Sequence, residues 1–183
     1  MIEDLTLLPR DRALYEKLHA SHGDLAIASS SAQYILKKGW HSLSFLRRGS
    51  VPIQQIAFTT TMIVAYARPF AGGRGKGITF PERLLQYGKA QSAFHERLLK
   101  LRNQEYAHTD ASTISVRPLK GSVVTDIQSI RDVSFSPDEL KLLLVMTQGV
   151  SGRIRQRLAE IRRNGSYGPK PPCGLASRAQ CLG

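Results

Sequence analysis

Apolar residues recur every three or four positions along most of this chain, and that spacing limits its fold more than any other feature. Positions spaced in this way share one face of an α-helix, which must be buried against another element. The most apolar such segment runs from Pro52 to Pro69, two prolines that suit the first turn and the end of a helix. We predict that it is the central core helix. Its repeat consists of Ile53, Ile56, Ala57, Thr60, Ile63, Val64 and Ala67.

The same spacing predicts four more helices. Two precede the core helix, at about Asp11–Ala20 and Asp24–Lys38, with Asp24 as the N-cap of the second and Gly39 as its stop. A third is predicted to begin at Pro81 and to reach about Ala107. The last begins at Ser136–Glu139, a capping box with proline at the first helical position.

The chain between and after the last two helices completes the predicted fold. Two β-prone segments, Thr113–Val116 and Ser122–Ile127, flank Lys120-Gly121, an arrangement that indicates a small β-hairpin. Asn164 and Gly165 end the last helix, and a proline-containing tail follows. The predicted fold class is therefore mostly α, a helical bundle with a small β-hairpin insertion before the last helix. Residues 1–164 form the domain and residues 165–183 a flexible C-terminal tail.

The charge balance points to an anionic partner. Lysine and arginine number 26 against 14 aspartates and glutamates, which gives a formal net charge of +12. Such a field attracts polyanions, either nucleic acid or an acidic membrane surface. The alternative is a basic protein that an acidic partner protein neutralises.

Several functional classes are disfavoured. No run approaches the ~18 apolar residues that a membrane span needs, and the acidic N-terminus lacks the features of a secretory signal. Cys173 and Cys181 both lie in the predicted tail, so they cannot staple the core, and a cytoplasmic protein is expected. His19 and His22 have no carboxylate or cysteine cluster beside them in the sequence, so neither a metal site nor a cofactor is expected.

The segment His95–Asp110 carries the candidate chemistry. It places Arg102, Asn103 and His108 near the predicted C-terminal end of a helix. Histidine gives and takes a proton near neutral pH, while arginine stays charged and presents a planar fork of donors that suits phosphate. Together these groups are able to cleave a phosphodiester without a metal ion.

Helical geometry limits how these side chains meet. At ~100° and ~1.5 Å per residue, positions six apart point about 120° away from each other. Arg102 and His108 of one regular helix therefore do not converge. Either the helix breaks near Ala107, or two copies of the chain face each other and pool their residues.

The sequence from Leu101 to Asp110 resembles the R-x(4–6)-H motif of HEPN domains, in particular the Arg-polar-x4-His form of the abortive-infection branch. The resemblance implies an all-helical bundle core, a homodimer with the motif at its interface, and a metal-independent endoribonuclease acting in phage defence or as a toxin. It assigns phosphate binding to Arg102, acid–base work to His108 and a positioning role to Asn103. The hairpin is an addition to the simple bundle, and no tyrosine closely follows His108.

The same residues also have a purely structural interpretation. Arginine and asparagine near a helix end often cap carbonyls or pair with a carboxylate such as Glu105. His95 lies seven residues before Arg102 and nearly on the same face, a position that would extend the site to a second phosphate; we interpret it instead as the polar edge of a packed helix. Tyr106 is suited to stack on a base, but we interpret it as a boundary tyrosine in the core.

Further basic residues are candidates for RNA binding. Arg74 and Lys76 lie in the glycine-rich segment 72–77, which fails the P-loop pattern but suits a basic contact to RNA. On the last helix the candidates are Arg153, Arg157, Arg162 and Arg163. A run of this kind is otherwise a solvated helix face.

These observations favour a HEPN-type, metal-independent ribonuclease that yields 2′,3′-cyclic phosphate ends, works as a homodimer and is controlled by an antitoxin or another protein partner. The alternative is a non-catalytic, basic helical module that binds RNA or a protein within a larger nucleoprotein assembly.

Overall fold

Four α-helices make up most of the part of the chain that the structure describes. The computed structural model describes residues 5–41, 49–71, 78–103, 115–118, 125–128 and 133–169. The helices are α1 (Pro9–Lys38), α2 (Val51–Ala67), α3 (Lys89–Leu101) and α4 (Pro137–Asn164), and the short strands are β1 (Leu5–Leu7), β2 (Ser115–Pro118), β3 (Thr125–Gln128) and β4 (Tyr167–Pro169). The predicted mostly helical fold class is confirmed.

α1 is one continuous helix, and the prediction of two shorter ones was wrong. Its buried face runs past Gly23 without a break because Leu18, Ser21, Leu25 and Ala28 keep the helical spacing. Asp24 does not cap a helix; its carboxylate accepts a hydrogen bond from Arg68 at 3.5 Å.

The end of α1 is as predicted. Gly39 adopts φ +64°, a left-handed conformation that glycine takes without steric cost. The Gly39 N–H donates to the Leu36 carbonyl and the Trp40 N–H to the Ile35 carbonyl, which is the Schellman arrangement.

α1 and α4 pack antiparallel. β1, which precedes α1, pairs antiparallel with β4, which follows α4, so the start of one helix lies beside the end of the other. The Ser166 N–H donates to Asp11 at 2.9 Å and strengthens this junction. The residues after the predicted domain boundary at 165, as far as Pro169, therefore run beside β1 and the start of α1.

α2 packs against the other side of α1. The rings of Tyr34 and Trp40 near the end of α1 contact Phe58 in α2, with centroids 4.4 and 6.0 Å away. The prediction that α2 is the central helix was wrong in part, because Ile53 and Ile56 are 72% and 43% exposed. α1 takes the central place, between α2 and α4.

The predicted start of the long helix from Pro81 to Ala107 was also wrong. A 3₁₀ turn occupies Glu82–Leu84, and α3 begins only at Lys89. Between them Gln86 has φ +44°, which breaks the helical path. The helix continues through Leu101 into a π-helical turn at Arg102 and Asn103.

β2 and β3 pair antiparallel over four residues, and both lie within or next to the segments predicted as strands. The residues that join them lie outside the described part of the chain. The core of the described residues is a single apolar cluster that all four helices share. Its largest fully buried side chains include Tyr66, Leu18, Leu25, Met62, Leu98, Leu140 and Met146.

Candidate functional site

Arg102 and Asn103 lie where α3 passes into its final π-helical turn. Arg102 is half-buried and keeps helical dihedral angles, and its Nη1 donates to the Asn103 Oδ1 at 3.0 Å. Among the described residues no carboxylate forms an ion pair with this guanidinium. The side chain is thus oriented by its neighbour. π-Helical turns are frequent at functional sites.

The other half of the predicted motif cannot be placed. His108 lies outside the described residues, and so do Tyr106 and the basic residues Arg74 and Lys76.

The four candidate arginines of α4 divide into two pairs. Arg153 donates from Nε to the Leu84 carbonyl at 2.6 Å and from Nη2 to the Leu85 carbonyl, so it fastens the 3₁₀ turn to α4. Arg157 pairs with Glu160 at 2.9 Å, which lowers the pKa of that carboxyl. These two guanidinium groups already have protein partners.

Arg162 and Arg163 form the second pair. Both are exposed in the last turn of α4, where cations also complement the helix dipole. In the part of the chain that the structure describes, neither is bonded to a carboxylate. They remain available to phosphate, together with the exposed Arg155.

Sequence reasoning missed a hydrogen-bonded cluster of aromatic residues. The Tyr66 hydroxyl lies 2.9 Å from His95 Nδ1 and 3.1 Å from the Tyr87 hydroxyl. The three residues come from α2, from the segment before α3, and from α3. The sequence favoured the polar edge of a helix for His95 over a contact to a second phosphate. The one signal for its burial was its place among the apolar positions of α3.

Burial sets the protonation states in this cluster. Desolvation raises the pKa of the Tyr66 hydroxyl strongly and that of Tyr87 as well, so both remain protonated donors near neutral pH. Desolvation lowers the pKa of His95, which is therefore a neutral imidazole at pH 7, even though the neighbouring Glu96 acts in the opposite direction. One ring nitrogen of His95 consequently accepts and the other donates.

A cavity of about 520 Å³ opens beside this cluster. Its wall is largely apolar, with His95 and Glu82 as titratable members and Thr79 as a hydroxyl. Two features hold its rim: the Arg153 contacts to the 3₁₀ turn and the left-handed Gln86 next to Tyr87. Strained backbone of this kind is often kept at binding sites.

A second, smaller cavity of about 360 Å³ lies between α1 and α4. It is open to solvent, and its lining includes His22, Gln33, Gln148 and Arg155. Within the described residues no group of three or more histidine, cysteine, aspartate or glutamate side chains is placed to hold a metal ion. None of the helices that the structure describes is long and apolar enough to cross a bilayer.

Comparison with known proteins adds no relative: no protein-family model, no curated protein and no solved structure matches this chain.

Proposed function

We propose that this chain is a metal-independent endoribonuclease of the HEPN type, a cytoplasmic toxin or phage-defence effector that acts as a homodimer. The observation that supports it most directly is Arg102, a half-buried guanidinium that Asn103 orients and that pairs with no carboxylate among the described residues. Its setting at the end of a bundle helix agrees with the R-x(4–6)-H resemblance.

The proposed reaction is an in-line transesterification. His108 takes the proton of a ribose 2′-hydroxyl, and the 2′-oxygen attacks the adjacent phosphorus. The bond from phosphorus to the 5′-oxygen breaks, and protonated His108, acting as general acid, gives its proton to that oxygen. Arg102 holds the charge that builds on the non-bridging oxygens. The products are a 2′,3′-cyclic phosphate and a 5′-hydroxyl.

Helical geometry is the argument for the homodimer, and a helix that breaks near Ala107 is the alternative. Since residues six apart on one helix diverge, the proton-transfer group beside a given Arg102 is best supplied by the second copy of the chain. A dimer also brings two guanidinium groups to one cleft, which favours a polyanion.

The net charge supports RNA as the substrate. The chain carries +12, and the exposed Arg155, Arg162 and Arg163 extend the positive surface along α4. Contacts of this kind supply affinity without sequence preference.

The test is RNA cleavage in EDTA by the full-length protein and by Arg102→Ala and His108→Ala. Each substitution is expected to reduce the cleavage rate by at least ~100-fold, the scale of a lost general acid or charge stabiliser. Arg12→Ala is the matched control, because Arg12 is exposed on α1 and its ion-pair partner among the described residues is Glu16. Cleavage that survives both site substitutions would refute the proposed site.

A binding module without catalysis is the second candidate, and the two exposed arginines that end α4 favour it. In that case the chain binds RNA or an acidic protein partner, such as an antitoxin, within a larger assembly. Binding would weaken with salt, would need Arg162 and Arg163, and would be unchanged in His108→Ala, with no turnover of any RNA.

A further inference from the structure

The cavity beside α3 has the size and lining of a ligand site. Its volume of about 520 Å³ falls within the range of small-molecule pockets. Phe70, Phe80, Leu99, His95 and Glu82 line it. Nothing in the proposed nuclease chemistry uses these side chains, so the cavity requires a separate explanation.

Its wall is aromatic on one side. The Phe70 ring lies 5.0 Å from that of Phe80 at 80°, and 4.8 Å from that of His95 at 81°. Edge-to-face packing fixes these rings relative to one another, so the wall is formed before a ligand arrives. Rigid aromatic walls of this type favour planar, conjugated ligands over flexible aliphatic ones.

His95 supplies one polar contact. Its Nδ1 is occupied by the Tyr66 hydroxyl, which the Tyr87 hydroxyl holds in turn. Its Nε2 has no hydrogen-bond partner among the residues that the structure describes. Within the described part of the chain the imidazole is thus held at one nitrogen only, which is how a side chain that contacts a ligand is usually fixed.

Glu82 supplies the second polar contact. It lines the cavity from the 3₁₀ turn, is exposed, and forms no ion pair within the described residues. A carboxylate only accepts hydrogen bonds, so it selects a ligand that carries N–H donors. Aromatic rings, a neutral imidazole and a carboxylate together match a flat heterocycle with amino groups.

We propose that this cavity binds a nucleobase, with preference for the bases that carry an exocyclic amino group. Adenine, guanine and cytosine offer such a group to Glu82 and uracil does not. The ring stacks on the phenylalanine wall, and His95 Nε2 contacts a polar atom on its edge.

The position of the cavity connects it to the proposed nuclease centre. His95 and Arg102 are seven residues apart and share a face of α3, about 10 Å along the helix axis. A base held at His95 therefore belongs to a nucleotide close to the phosphate held at Arg102. This connection rests on the proposed function, whereas the cavity itself does not.

The test is titration of the full chain with adenosine, guanosine, cytidine and uridine, followed by calorimetry or by amide shifts in NMR. Saturable binding of the three amino-bearing nucleosides is expected, with uridine roughly tenfold weaker. Glu82→Gln is expected to remove this preference, and His95→Gln to weaken all four roughly tenfold. Glu16→Gln, an exposed change on α1, serves as the matched control and should change nothing.

Two results would overturn the proposal: no saturable binding of any nucleoside, or binding that Glu82→Gln and His95→Gln both leave unaltered. Since Glu82 is exposed, its substitution is not expected to disturb folding, which circular dichroism checks.

A second arm distinguishes an RNA base from a free nucleoside. If the cavity reads RNA, a short oligonucleotide binds more tightly than the nucleoside, and Arg102→Ala removes that gain while nucleoside binding persists. If the natural ligand is free, the nucleoside binds as tightly and Arg102→Ala alters neither affinity. Both outcomes support a nucleobase site. Nucleoside binding without RNA cleavage would reject the nuclease and leave the cavity assignment intact.

Discussion

His95 takes its properties from side chains that are distant in sequence. The Tyr66 hydroxyl, 29 residues away, holds its Nδ1, and the rings of Phe70 and Tyr87 enclose it at 4.8 and 5.4 Å. None of these contacts follows from the spacing of residues on α3, which is why sequence reasoning placed His95 on a helix edge. The same limit applies to Arg153, whose carbonyl partners are 68 and 69 residues away.

The lowered pKa of His95 makes stability depend on pH. Because burial disfavours its protonation in the folded state, the unfolded chain binds a proton more readily. The free energy of unfolding should be unaffected by this group above pH ~6.5 and should fall as pH drops from there toward the folded-state pKa. Urea unfolding at a series of pH values measures it.

The controls for this experiment are two histidine substitutions. His95→Gln is expected to flatten the pH dependence in that window, while His19→Gln, at an exposed position on α1, retains it. An unchanged slope in His95→Gln would mean that another group causes the dependence.

Helix ends were predictable wherever a local hydrogen-bonding signal defines them. The capping box at α4 forms as expected, since the Ser136 N–H donates to Glu139 at 2.8 Å and the Glu139 N–H donates to the Ser136 hydroxyl at 3.2 Å. Gly39 likewise ends α1. The helix starts predicted at Asp24 and Pro81 were misplaced. Asp24 is a competent cap residue, but α1 continues through it because the buried face on both sides stabilises one helix. Pro81 opens only a 3₁₀ turn, which Arg153 then holds.

Loss of the cap should destabilise the element it begins. Ser136→Ala leaves the Glu139 N–H without its partner and is expected to reduce the free energy of unfolding by about 1 kcal/mol. Ser151→Ala, the same substitution within α4, is the control. It should be neutral or slightly stabilising because alanine is the better helix former. Denaturant unfolding compares them, and equal effects would contradict a capping role.

At the scale of the whole molecule, the sequence predicted the mostly helical fold class. It did not predict the antiparallel arrangement of α1, α2 and α4. Which helix becomes central depends on how much of each surface the others cover. α2 is the most apolar segment, yet Ile53 and Ile56 remain exposed, while α1 is covered on two sides. The R-x(4–6)-H resemblance was recognisable because it is local, and the cavity beside His95 was not because three separate segments build it.

Gly165 allows the chain to turn back toward β1 after α4. A Cβ at this position would overlap the Ile161 carbonyl oxygen and come within 2.7 Å of a Leu7 methyl group. Gly165→Ala is therefore expected to reduce the free energy of unfolding by roughly 1–3 kcal/mol. In the control Gly152→Ala, the added methyl group meets nothing within 4 Å, and stability should rise by about 0.5–1 kcal/mol. If Gly165→Ala leaves the free energy of unfolding unchanged, the backbone at this junction relaxes at little cost.

The pairing of β1 with β4 has a consequence for the route of the polypeptide. Leu5 lies opposite Pro169, so the two ends of the helical body are a strand spacing apart, about 5 Å. A short linker from 169 back to 5 would permit circular permutation, with new termini cut elsewhere in the sequence. A protein fused before β1 and a protein fused after β4 would both be attached at the same end of the helical bundle.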